Sequence, residues 1–281
     1  ISPELLSMTS EFLNTLANIR KTILIAGNHD ANLNNKSRLD SLSPIIKNLN
    51  NPNLYYLKDT GVYSFADVDF VVMSVFDKPE DYPRSDCSKA NTKIALYHGP
   101  MNSSITDVGF KIRNPEMTID RFDGFDMVLL GDIHKKQFLN KEKTIAYSSS
   151  LIQQNFGETF DGHGYLIWDV KKRKAVFKEI SNNYGYYTIN IKDGKCSDIS
   201  DIPKMPRVRL ITENTSNADV KKVLLDIRKK CKIQDYFVIR KENSSEINRG
   251  TKKGFDLIRN LRDIEYQNVL IEDYFKCYKI Y

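Results

Sequence analysis

The feature that most constrains this chain is a repeated pattern: an apolar run of strand length followed at once by a turn into histidine. Residues 21–30 read KTILIAGNHD. The run Thr22-Ile23-Leu24-Ile25 predicts a fully buried strand, and Gly27-Asn28-His29-Asp30 predicts the turn that ends it. Lys93-Ile94-Ala95-Leu96-Tyr97 repeats the pattern and ends in His98-Gly99. Residues 126–130, DMVLL, repeat it again and end in Gly131-Asp132-Ile133-His134. The chain has four histidines, so three of the four stand directly behind a predicted buried strand. In α/β sheets, ligands and catalytic groups gather just past the carboxyl ends of the strands. Three histidines so placed predict a shared metal site. The fourth, His163, precedes Gly164-Tyr165-Leu166-Ile167-Trp168; of its two readings, a compensating ligand and a structural residue pinning a strand start, the structural one is preferred.

The neighbouring residue types fit metal and phosphate chemistry. The Asn28 amide oxygen is a hard, neutral ligand. The His29 ring can donate a hydrogen bond to an anionic oxygen, and Asp30 can hold the loop or the His29 ring.

The ordered set of strand–GNHD, strand–HG and strand–GxxH resembles the later motifs of calcineurin-like metallophosphoesterases. The surrounding words narrow the resemblance: ALYHGP at 95–100, FDMVLLGDIHKKQ at 125–137, IAYSSSLIQQNFGE at 145–158 and HGYLIWD at 163–169. They are similar to the DNA-repair nuclease group that contains the bacterial SbcD subunit and the meiotic-recombination nuclease, and most of all to phage- and virus-type members. The resemblance covers residues 1–180 well and the rest more loosely. It implies a two-sheet α/β metallophosphoesterase sandwich, truncated at its N-terminus, with a small α+β capping domain. The core would occupy 1–180, a basic DNA-binding cap 181–250, and a helical tail leading toward a partner-binding region 251–281. The family's two earlier motifs, an Asp-x-His and a Gly-Asp-x-x-His, do not occur here, and the chain reads as a fragment.

The same resemblance implies a double-strand-break-repair exonuclease and endonuclease that hydrolyses phosphodiesters with two divalent ions. Asn28 and His98 would hold one ion. His134 would hold the other, together with upstream residues. His29 would face the phosphate, stabilising charge or protonating the leaving oxygen, with Asp30 orienting it. Mixed nitrogen and oxygen ligands suit Mn²⁺. Where the family carries Gly-His-x-His this chain has Gly131-Asp132-Ile133-His134, which puts Asp132 on a metal-ligand position. The implied partners are double-stranded DNA, an SMC-like ABC ATPase and a second copy of the chain. The implied location is intracellular, in a bacterium or as a viral protein acting in its host. Two other readings are a phosphoesterase of non-DNA substrates and a DNA-binding scaffold with a decayed site.

Composition bears on the class of protein. Apolar residues make up 41% and aromatics 11%, enough to fill a core at 281 residues. No apolar run reaches the ~18 residues of a membrane helix. The four cysteines, Cys87, Cys196, Cys231 and Cys277, form no CxxC pair, which argues for free thiols rather than a structural zinc site.

Charge is unevenly placed. Residues 204–253 hold fourteen Lys or Arg against six Asp or Glu, a net of +8 that exceeds the +6 of the whole chain. Arg207-Val208-Arg209-Leu210-Ile211 alternates like a half-exposed strand. Val220, Val223, Leu224, Ile227 and Cys231 predict one helical face, and Tyr236 to Arg240 a further strand. A strand–helix–strand unit this basic predicts a surface for nucleic acid, with Arg207, Arg209, Lys221, Lys222, Lys229 and Lys230 as its contacts. Elsewhere, Ser2-Pro3 predicts a helix start, with Leu5, Met8, Phe12, Leu16 and Ile19 as its apolar stripe. Residues 38–49 predict a helix broken near Pro44, one place to look for the dimer interface. Residues 165–170 and 174–180 predict a hairpin.

Overall fold

A computed structural model describes residues 2–31, 33, 35 and 38–241. The expected tail at 251–281 and the last part of the expected cap lie outside these residues. Internal contacts divide the chain between residues 182 and 183 into two compact units. The architecture is mixed α/β with several sheets.

In the first unit, helix α1 (Pro3–Ile19) begins as expected: the Ser2 side chain accepts from the Leu5 N–H at 3.3 Å, and proline sits in the first turn. Its apolar stripe, however, faces outward. Phe12 is 53% and Met8 67% exposed, while Leu13 and Ala17 are buried against Ile45 and Leu54. Spacing shows that residues share a face but not which face meets the core. Here small Ala17 permits close approach, and Asn14 and Asn18 both accept from the Asn51 amide.

Strand β1 (Thr22–Leu24) pairs in parallel with β2 (Leu54–Tyr56) in a two-stranded sheet. It is half-buried rather than fully buried as expected, because a strand in a two-stranded sheet is paired along one edge. Ile23 and Ile25 still pack on a cluster that includes Val72, Ile94, Leu96 and Met127. Helix α2 spans only Leu42–Leu49. The buried Asp40 carboxylate accepts from the Leu42 and Ser43 N–H groups and so sets its start. Pro44 falls in the first turn, where its missing N–H costs nothing.

The main sheet runs β3 (Gly61–Phe65), β4 (Val68–Met73), β5 (Thr92–His98), β6 (Met127–Gly131), β8 (Ile145–Tyr147), β7 (Gln137–Phe138) in that spatial order. Strands β4, β5, β6 and β8 are parallel, and β3 and β7 are antiparallel edges. Ile94 to Tyr97 are buried in succession, the mark of a strand covered on both faces. Strands β9 (Gly164–Asp169) and β10 (Lys174–Glu179) form the expected antiparallel hairpin.

The second unit has a sheet ordered β12 (Lys195–Cys196), β11 (Tyr184–Lys192), β13 (Met205–Glu213), β14 (Asp235–Lys241). Helix α3 (Asn217–Lys230) connects β13 to β14, capped by the Ser216 side chain. Val220, Val223, Leu224 and Ile227 pack on Ile189, Ile191, Val208 and Leu210, with Cys231 beside them. Cys87, Cys196 and Cys231 are free thiols. Among the described residues, no helix is long and apolar enough to cross a membrane.

Candidate active site

The parallel strands of the main sheet end at one side, and the polar turns gather there. His98 closes β5. Its ring is held in a slot between two glycines: a Cβ added at Gly27 would lie 2.9 Å from His98 Cε1, and one at Gly131 would lie 2.7 Å from Nδ1. Both glycines are therefore needed for space rather than for backbone freedom. Gly27 comes from the turn behind β1 and Gly131 from the end of β6. Behind His98, the fully buried Tyr147 hydroxyl donates to the Gly99 carbonyl at 2.6 Å and accepts from the Met101 N–H at 2.8 Å. This fixes the path of the chain as it leaves β5.

Two further side chains converge on the same ring. His98 Nε2 is 3.2 Å from Asn28 Oδ1 and 3.8 Å from Asp132 Oδ1. Asn28 Nδ2 is 3.4 Å from that same Asp132 oxygen. Three residues separated widely in sequence thus meet from three strand ends. Asp132 has a φ of 98°, a conformation that L side chains rarely adopt, and its side chain is only 6% exposed. Backbone strain of this kind persists where the surroundings over-determine it, and it clusters at functional sites. Burial, together with the neighbouring His29 and His134 rings, lowers the His98 pKa to about 4. The imidazole is therefore neutral at physiological pH, the form that binds a metal.

His29 is exposed at the mouth of this cluster. Asp30 does not bond its ring: the carboxylate accepts from the Gly27 N–H at 2.8 Å and closes the turn on itself. Asp30 therefore orders the loop that presents Asn28, rather than orienting His29 directly.

His134 stands past β6. Its Nδ1 is 2.8 Å from Glu158 Oε1, and this hydrogen bond raises its basicity against the opposing effect of burial. The Glu158 carboxylate is 3% exposed and also accepts from the Gln154 N–H at 2.7 Å and the Asn155 amide at 2.6 Å. The Ser149 hydroxyl, from a residue at φ 86°, donates to the His134 carbonyl at 2.8 Å. Glu158 was not picked out from sequence as a site residue, although it closes the word at 145–158. A buried carboxylate paired to a histidine is a contact between distant segments, and no local pattern announces it. Nearby Asp107 has a raised pKa, chiefly from burial and then from the Glu158 charge. His163 is 2% exposed, and both of its ring nitrogens are engaged, with the Ser150 hydroxyl at 2.9 Å and the Thr159 carbonyl at 2.8 Å.

The donor set suits one cation. Ligands adjacent around an ion with bonds near 2.1 Å stand about 3 Å apart. The separations from His98 Nε2 to Asn28 Oδ1 and to Asp132 Oδ1, 3.2 and 3.8 Å, need only small adjustment to reach that. Among the described residues, no three His, Cys, Asp or Glu side chains stand together closely enough to hold an ion. His134, with Nδ1 committed to Glu158, presents Nε2 as its remaining donor, as expected of a ligand oriented by a carboxylate.

The basic residues are distributed differently. Lys221, Lys222, Lys229 and Lys230 are exposed on α3. Arg207 and Arg209 alternate along β13 with Val208 and Leu210, which are buried under α3, so the arginines occupy the opposite face of the sheet. The expected contact set is therefore split between two sides of the unit.

No protein-family model matches the chain. It is 45% identical over 244 residues to an uncharacterized protein, R555, of Acanthamoeba polyphaga mimivirus; the match takes in 84% of this chain. The chain spans 18% of the length of that relative.

Proposed function

We propose that the first unit carries the later part of a metallophosphoesterase centre and that the protein is a metal-dependent nuclease subunit of the DNA-repair type. The single observation that carries this reading is the meeting of Asn28 and Asp132 with the half-buried, neutral imidazole of His98 from three strand ends. The sheet order is compatible with one layer of the expected sandwich. The relative's origin in a giant virus suits a virus-type member.

Asn28, His98 and Asp132 would hold one divalent ion, Mn²⁺ by the mixed donor set. His134 would contribute to a second, completed by residues beyond those described. Bound ions would neutralise charge on the phosphodiester and lower the pKa of a water. The chain's own residues do the rest. Gly27 and Gly131 fix the His98 ring, Asp30 locks the turn that carries Asn28, and Glu158 sets the tautomer and direction of His134. Exposed His29 would face the phosphate, stabilising charge or protonating the leaving oxygen. Double-stranded DNA, an SMC-like ATPase and a second copy of the chain are the proposed partners. The exposed stripe on α1 is where that copy would pack.

The test is a Mn²⁺ titration followed by calorimetry and by electron paramagnetic resonance. The expected result is specific binding that is weakened at least tenfold in His98→Ala and in Asn28→Ala. Equal binding in both variants would overturn the proposal. A second reading, a nucleic-acid-binding scaffold without hydrolysis, is favoured by the lack of a three-residue His, Cys, Asp or Glu cluster among the described residues. Absence of Mn²⁺ binding by the unaltered protein would support it.

A further inference from the structure

The side chains that meet at the candidate centre stand on two different sheets. His98 and Asp132 come from the ends of β5 and β6 in the main sheet, whereas Asn28 follows β1 of the two-stranded sheet. Among the described residues, no backbone ladder joins these sheets. Ile23 and Ile25 hold β1 against the apolar cluster of the main sheet, but apolar packing is non-directional. It does not by itself set Asn28 Oδ1 at 3.2 Å from the His98 ring.

A chain of directional bonds does join them. It starts at Ser74, buried directly behind β4, whose hydroxyl donates to the Lys58 carbonyl at 2.6 Å. Lys58 stands just past β2, and its Nζ is 2.8 Å from Asp40 Oδ2. The Asp40 side chain is fully buried, and the Ser43 hydroxyl donates to the same oxygen at 2.6 Å. The adjoining Ser41 N–H donates to the Asp30 carbonyl at 2.7 Å. The Asp30 carboxylate closes the Gly27 turn, which carries Asn28 and abuts the His98 ring. Capping α2 alone does not call for this arrangement, since a neutral Ser or Asn starts a helix as well as Asp does. Desolvating a carboxylate can cost more than its attraction to a cation offsets. What the pair adds is a defined geometry between the two sheets.

We propose that Lys58 and Asp40 are positioning residues of the candidate metal centre: their ion pair ties the turn that carries Asn28 to the end of β4 and so holds the Asn28 amide beside His98 and Asp132. The inference rests on the metal-binding part of the proposed function and is independent of its nucleic-acid part. Neither residue touches the ion or the substrate. Both act through Ser41, Asp30 and the Gly27 turn.

Two measurements on the folded full chain test it. The first is amide hydrogen exchange without metal, read at Gly27 and Ser41 relative to the β5 amides. Lys58→Met and Asp40→Asn are each expected to speed that exchange about tenfold. The second is Mn²⁺ titration by calorimetry, in which both variants should bind about tenfold more weakly. Lys58→Arg, which keeps a cationic donor, should stay within about threefold of the unaltered protein in both measurements. Ile45→Val truncates the neighbouring apolar cluster under α2 and lowers stability in the same region without touching the tie. It should change neither Mn²⁺ affinity nor the relative exchange of the two amides. Unchanged exchange in Lys58→Met and Asp40→Asn, unchanged affinity in them, or equal losses in Ile45→Val would overturn the proposal. If the unaltered protein binds no Mn²⁺, the metal reading fails, and the exchange result alone decides whether this tie holds the turn.

Discussion

The two polar regions of this molecule are built on opposite plans. At the strand ends of the first unit, donors from two other turns close on the His98 ring within 3.8 Å, in a slot that two glycines keep open. In the second unit, cations spread along a strand and a helix and point to different sides. The difference follows from topology. Parallel strands covered on both faces deliver every following turn to one edge, so polar residues there must meet. A two-layer strand–helix unit has two solvent faces, and charge can collect on either. Convergence therefore says more about function in the first region, and orientation says more in the second.

The comparison can be broken or sharpened by substitution. The largest effect is expected from Leu210→Ala, which removes a fully buried side chain under α3. It should cost about 2–5 kcal/mol of the second unit's stability in denaturant unfolding and leave Mn²⁺ binding intact. Loss of metal binding in that variant would mean that the two regions are not separately built. Gly131→Ala forces a Cβ against His98 Nδ1. Overpacking of this kind should cost about 1–3 kcal/mol and displace the ring, so Mn²⁺ affinity should fall even though no ligand is changed. Unaltered affinity would show that the slot is not what positions His98.

A pH dependence gives a middle-sized effect. Burial alone would raise the Asp40 pKa, but hydrogen bonds from Lys58 and Ser43, with the Lys58 charge, outweigh it and bring it down to about 2. Its folded pKa lies below the unfolded one, so its contribution is complete above about pH 4 and is lost as pH falls toward 2. Asp40→Asn should therefore remove about 2 kcal/mol at neutral pH and flatten the acid limb of the unfolding curve. An unchanged acid limb would contradict this. The smallest effect is expected from Lys229→Ala, whose partner Asp226 is likewise exposed; thermal unfolding should be indistinguishable from that of the unaltered protein.

Local patterns made much of the fold legible. The strands at β4, β5 and β6, the hairpin at β9 and β10, and the α3 face all carry their period or apolar run in a short window. The candidate site was legible to the extent that its residues follow such runs directly, as Asn28, His98, Asp132 and His134 do. What stayed hidden depends on distance in sequence. The Glu158 bond to His134 and the glycine slot around His98 join separate segments. The outward stripe of α1 and the half-burial of β1 depend on what lies beside them. The split of Arg207 and Arg209 from the lysines depends on which side α3 packs, which charge counting does not reveal.

The most direct test of the central claim is cleavage of linear double-stranded DNA by the protein, with Mn²⁺, compared with its His98→Ala variant. The account predicts Mn²⁺-dependent cleavage that falls about 100-fold or more in the variant, with the fold intact by circular dichroism. Cleavage at the same rate in the variant, or none by the unaltered protein although it binds Mn²⁺, would contradict it.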